Sequence, residues 1–169
     1  MSQPLYFDDL TIGQSWETRR RTVTETDIVQ FACITGDFDP LHVDYEYARQ
    51  TPFRRPIAHG LLGITWVAGL ASHSPAVHTV AFLGVRNWEF LKPIFAGDTL
   101  RVLNEVVELQ LEGRRRGHVV WSRKLLNQTD VVVQRGVFET LVALRPDRKA
   151  ARRGGEGAAS RLPKRGGGD

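Results

Sequence analysis

The run GDFDPLHVD at residues 36–44 gathers three carboxylates and one imidazole within nine positions. Asp37 and His42 stand five residues apart, a spacing that neither a strand nor a helix brings to one face. Pro40 sits between them, fixing its own φ and biasing Asp39 away from helical geometry, so the segment reads as a defined turn. Such a turn can aim Asp37 and His42 at a single water. The carboxylate would accept one of its hydrogens, and the imidazole would take or return a proton near neutral pH. A purely structural loop, with Asp37 capping backbone groups, explains the same residues, and both readings stand at this point. A metal would need further ligands, with His59, Asp39 and Asp44 as the available donors. Their spacing matches no common zinc motif, so no metal is expected.

The elements that must position this turn can be read on either side of it. Gln14 to Val23 alternates loosely and is rich in Thr and Arg, as a first strand would be. Thr24-Glu25-Thr26-Asp27 has the acceptor-then-acid pattern of a helix start, and Ile28, Phe31, Ala32, Ile34 and Thr35 give that helix an apolar face. Gly36 ends it. Cys33, the single cysteine, falls in this stretch and reads as a small buried residue. Asp44 looks like the cap of a short helix through Ala48 to Gln50, and TPFRRPIAHG as an irregular loop. From Gly60, GLLGITWVAGLAS is apolar on every side and should be a helix enclosed on most faces.

The second half changes texture. Residues 79–91, 99–111, 119–127 and 131–144 are long runs rich in β-branched and aromatic side chains, separated by turn signals. Asn127-Gln128-Thr129, formally a glycosylation sequon, reads as one of those turns, and Arg114-Arg115-Arg116 as a solvated hairpin tip. Short connections imply antiparallel neighbours. Helices early and strands in a block argue an α+β fold in which a curved sheet wraps the apolar helix. The remaining sheet face and edges need cover, and a second copy of the chain is the simplest source.

Length allows one domain with a real core. One cysteine excludes a disulfide framework and a cysteine-rich metal site and points to a reducing compartment. The N-terminus lacks a signal-peptide pattern, and the longest apolar run, Leu61 to Ala71, is 11 residues, well short of the ~20 that span a membrane. A cytoplasmic location with no membrane partner is expected. The net charge of +4 is unevenly placed. Residues 145–169 hold eight basic and three acidic groups, whereas 1–144 hold 15 basic and 16 acidic. The domain boundary is therefore drawn at 144, followed by a Gly/Arg-rich disordered tail. No recognition helix or aromatic interleaving accompanies that tail, so no nucleic-acid partner is expected.

GDFDPLHVDYEYA resembles the hydratase signature of the MaoC-like, (R)-specific enoyl-CoA hydratase family, in which Gly36, Asp37, Pro40, Leu41, His42 and Ala48 match. RPIAHGLLG at 55–63 and AFLGVRNWEFLKPIFAGDTLRV at 81–102 resemble the family's further landmarks. The likeness spans roughly residues 10–144. It implies a single hot-dog domain, a central helix wrapped by a curved antiparallel sheet, dimerising through the sheets. It also implies an enzyme: reversible syn hydration of a trans-2-enoyl thioester to an (R)-3-hydroxyacyl thioester, with acyl-CoA as substrate and no cofactor. By that resemblance Asp37 and His42 are the catalytic pair and the backbone N–H of Gly60 is the oxyanion donor. His59 shapes the loop or caps the helix.

Two positions depart from the family. Asp39 stands where Asn is usual, and the central helix has Val67-Ala68 where some members carry a supporting Ser, with Thr65 the nearest hydroxyl. Asp39 and Pro40 are thus site neighbours. Arg54, Arg55, Arg86 and Lys92 are the basic residues available to the phosphates of coenzyme A or of an acyl carrier protein. Trp66, Trp88 and Phe90 are the bulky candidates for a short acyl pocket, with plain core packing as their other role. Competing readings are a hot-dog thioesterase and a non-catalytic subunit that binds acyl thioesters.

Overall fold

The computed structural model describes residues 3–146. The basic tail expected from 145 onward lies outside them apart from Arg145 and Pro146. Arg145 belongs to the folded body: its side chain pairs with Asp9 at 2.7 Å and its backbone N–H donates to Asp8.

The expected first strand is two short ones, β1 (Ser15–Glu17) and β2 (Arg21–Thr22), both antiparallel to β4 (Thr99–Glu112). Helix α1 (Glu25–Thr35) starts as its sequence dictates. Thr24 and Asp27 form a reciprocal capping box, and Arg21 pairs with Asp27 at 2.6 Å. Burial alone would raise the Asp27 carboxyl, but the bonds from Thr24 and the nearby Arg21 outweigh it and hold it below its ordinary value. Gly36 closes the helix at φ 78°, the left-handed region that glycine enters without penalty. The buried face is narrower than the pattern implied. Ile28 and Ala32 are buried, while Ile34 is 83% exposed and Cys33 is exposed, because these two fall on the outward side of the helix.

The segment expected to be a loop throughout contains one helical turn, α2 (Pro40–Val43). Asp39 accepts from Leu41 N–H at 2.8 Å as its cap, and Pro40 occupies the first position, where no amide hydrogen is needed. Helix α3 (Tyr45–Arg49) follows at once, capped by Asp44. Helix α4 (Gly60–Ala71) runs against the sheet with Leu62, Gly63, Trp66, Val67 and Ala71 buried. It is enclosed less fully than its all-round apolarity suggested: Leu61 is 60% exposed, and Thr65 and Ala68 on the same face are exposed too.

The sheet orders its strands β1-β4-β5-β6-β3, with β3 (Thr79–Phe90), β5 (Arg116–Leu126) and β6 (Val132–Ala143) completing it. β4–β5 and β5–β6 are the antiparallel hairpins the turn signals implied. β3 and β4 are not neighbours, contrary to the short-connection rule. Leu91 and Lys92 still donate to Val133 O of β6, and residues 93–98 then leave the sheet, with Ile94 O accepting from Ala58 N–H at 2.8 Å. β3 pairs only with β6 and forms an edge. The concave face buries Trp121, Phe138, Val119 and Leu125 against α4, each such side chain worth about 1.5–3 kcal/mol. Trp121 also satisfies its indole N–H on Thr140 Oγ1 at 2.9 Å. The architecture is therefore the α+β one expected, a curved antiparallel sheet around an apolar helix. No helix among the described residues is long and apolar enough to cross a membrane.

Candidate active site

Three segments distant in sequence are tied together by backbone groups of the irregular stretch before α4. Ile57 N–H donates to Leu41 O at 3.3 Å, and Ile57 O faces His42 Nδ1 at 2.7 Å. Ala58 N–H, the next donor along, reaches Ile94 O on the connection to β4. A carbonyl can only accept, so His42 Nδ1 carries the hydrogen, and in the neutral ring Nε2 presents its lone pair. This fixes both the tautomer and the ring plane.

Asp37, His42 and His59 place one donor atom each within 4.8 Å of one another. Asp37 is exposed, with Oδ1 accepting from Asp39 N–H at 3.3 Å. His59 is only 2% exposed. Its Nε2–H donates to the Asp37 carbonyl at 2.9 Å, and its ring stacks on His42 with centroids 3.8 Å apart and planes 29° from parallel. His59 therefore holds both members of the pair, consistent with loop shaping, and makes no side-chain cap on α4. An ion bound through His59 Nε2 would displace the Asp37 carbonyl, and the second ring nitrogen, Nδ1, is buried without a partner.

A cavity of about 300 Å³ opens beside His42, walled by Phe53, Ile57, Phe90, Leu91 and Gly60. Gly60 begins α4, and among the described residues its N–H donates to no protein acceptor. A side chain there would press on the Phe90 ring at 2.9 Å. The amide thus combines an unpaired donor with the positive end of a helix.

Other expected contributors are dispersed. Lys92 and Phe90 line the cavity, whereas Trp66 and Trp88 do not. Trp66 packs in the core beneath Arg21, whose guanidinium lies 4.2 Å from the indole centre. Trp88 donates to Gln134 Oε1 at 3.2 Å. Arg86 is paired with Glu139 on the neighbouring strand. Arg54 and Arg55 are exposed, the latter stacked 4.1 Å over Phe95. Asp39 acts through its cap on α2, a role the carbonyl of the usual Asn would fill equally, and Pro40 starts that turn. Thr65 bonds back to Leu62 O at 2.8 Å within its own helix, so it gives Asp37 no support.

Sequence reasoning missed Gln134. It is buried, donates to Gly60 O at 3.1 Å and accepts from Trp88, so it anchors the first turn of α4. A lone amide inside the apolar run VVVQRGVF was the signal available.

Residues 8–128 match the model of the MaoC like domain. The chain belongs to the MaoC-like dehydratase domain family. It is 38% identical over 112 residues to 3-hydroxybutyryl-CoA dehydratase of Methylorubrum extorquens, covering 66% of this chain and 69% of that one. It is 33% identical over 101 residues to the (R)-specific enoyl-CoA hydratase of Aeromonas caviae, covering 60% and 74%. Among solved structures, a monoamine oxidase regulatory protein from Archaeoglobus fulgius superimposes with a TM-score of 0.79 at 38% identity, over 85% of this chain and 97% of that one. Another curated relative is matched over only 29% of its length. The fold of this MaoC-like domain is the hot dog.

The Gln134 anchor generates a test. A Cβ at Gly63 would meet the Gln134 amide nitrogen at 2.3 Å. Gly63→Ala should destabilise the domain by roughly 1–3 kcal/mol through overpacking, read by urea unfolding. At Gly69 nothing lies within 4 Å, so Gly69→Ala should leave stability equal or higher.

Proposed function

We propose that this MaoC-like domain catalyses the reversible hydration of a trans-2-enoyl-CoA to the (R)-3-hydroxyacyl-CoA. The observation that carries the reading is the convergence of Asp37 and His42, with His42 Nε2 left as the accepting nitrogen by the Ile57 carbonyl. A water held between them is polarised from two sides. Its oxygen bonds to C3 as the C2=C3 double bond gives its electrons to the conjugated thioester. The water's proton passes to His42 Nε2 or Asp37, and a proton is returned to C2 on the same face. The thioester oxygen, negative in the transition state, is stabilised by the Gly60 N–H at the start of α4. Dehydration follows the same atoms in reverse.

The cavity volume stands at the lower end of the range for small-molecule sites, which favours a short acyl chain. Lys92 at its wall, and the exposed Arg54 and Arg55, are the cations we assign to the phosphates of the carrier. A cytoplasmic location belongs to the same reading.

We assign the cover for the open face of the molecule to a second copy of the chain. The free edge of β3 exposes Val80, Phe82, Leu83 and Val85, and Leu61 of α4 is exposed as well. An exposed, apolar, 12-residue edge strand invites pairing with another strand.

Incubated with short trans-2-enoyl-CoA substrates, the wild type should bleach the conjugated thioester absorbance and release no thiol. Asp37→Asn and His42→Ala should each lower kcat by about 10²–10⁴-fold with folding intact. Free thiol in place of hydration would indicate a thioesterase, and neither signal would indicate a binding subunit. In sedimentation equilibrium the wild type should run at twice the chain mass. Leu83→Glu should shift it to monomer, and a monomeric wild type would remove the dimer assignment.

A further inference from the structure

Two arginines are equally buried in the sheet, each 8% exposed, and their surroundings treat them oppositely. Arg101 is held by two carboxylates, Glu17 at 2.7 Å and Asp130 at 2.8 Å. Arg123, on the concave side of β5, pairs with no carboxylate among the described residues. Its Nε donates to Asn104 Oδ1 at 3.1 Å, and its guanidinium lies 4.4 Å from the centre of the Phe138 ring. Neither neighbour carries a negative charge. A buried, unpaired cation is costly, which is why such groups are ordinarily matched by an anion. Burial pulls the Arg123 pKa down to about 10, so the group is still charged at neutral pH.

Beside Arg123 lies a cavity of about 90 Å³, bordered by Ser72 at the end of α4, Asn104, Trp121 and Thr140. Its polar groups leave donors over. Asn104 gives one amide hydrogen to Ser74 O at 3.2 Å, and the second has no acceptor among the described residues. Thr140 Oγ1 already accepts from Trp121, and its own hydrogen is likewise unspent. Guanidinium, amide and hydroxyl donors thus border one small cavity whose lining contains no carboxylate. The space has room for several water-sized groups but not for a nucleotide. It is also separate from the cavity at His42. That one meets α4 at Gly60 and this one at Ala71, about 16 Å further along a helix axis.

We propose that this cavity is a binding site for a small monoanion, chloride or a short carboxylate, held by Arg123 with Asn104 and Thr140 as further donors. The anion neutralises a charge that the fold itself leaves buried, so binding stabilises the native state by mass action.

The test is thermal unfolding of the full chain at constant ionic strength, with gluconate, too bulky for the cavity, replaced stepwise by chloride or by acetate. The wild type should gain several degrees in Tm along a saturating curve, and the anion that saturates at the lower concentration is the better ligand. Arg123→Met should abolish the response. Should that variant fail to fold, Thr140→Val should raise the half-saturating concentration several-fold. Three results would overturn the proposal: no dependence on anion identity in the wild type, a rise that never saturates, or the same curve with Arg123→Met or Thr140→Val.

Discussion

The site depends on one hydrogen bond, from His42 Nδ1 to the Ile57 carbonyl. A backbone acceptor settles which nitrogen keeps its hydrogen, and hence which can accept a proton from water. The same residue's N–H holds Leu41, and Ala58 next to it holds Ile94. The turn carrying the acid and imidazole, the start of the central helix and the return to the sheet are therefore one hydrogen-bonded unit. Motifs some 15 to 50 residues apart meet because two consecutive residues, Ile57 and Ala58, turn their backbone groups toward different segments.

His59 and Gln134 stiffen that unit from beneath. Each is a buried polar side chain placed under a functional group: His59 under the Asp37–His42 pair, Gln134 under Gly60. Burial makes these bonds consequential, since a polar group that loses its partner away from water costs about 1–3 kcal/mol. The arrangement gives the Asp37–His42 pair a rigid floor while Asp37 itself remains exposed. Arg123 belongs to the opposite end of the same core, where polar donors outnumber acceptors instead of matching them.

Much of this was legible in the residues. The capping box of α1, the glycine that ends it, the two hairpins and the apolar helix from Gly60 follow from local patterns, because local sterics and hydrogen bonds decide them. What was not legible is what long-range contacts decide. The edge position of β3 overrides a short connection because the chain between β3 and β4 has a partner in Ala58. Cys33 and Ile34 are outward because α1 buries a narrow face. The acid and imidazole were conspicuous at once, yet the Ile57 carbonyl that orients the imidazole leaves no trace in residue identity. The segment at Pro40 was expected as a defined turn rather than a helix, although an Asp followed by Pro is also how a helix begins.

The most direct test of this account is the tautomer of His42, measured by long-range ¹H–¹⁵N correlation of the imidazole nitrogens in the full-length protein, with His42→Gln assigning the signal. Above the pH at which the ring loses its second proton, Nδ1 should appear as the protonated nitrogen and Nε2 as the bare one. A His42 ring protonated at Nε2 under those conditions would contradict it, since the nitrogen meant to face water would then be a donor.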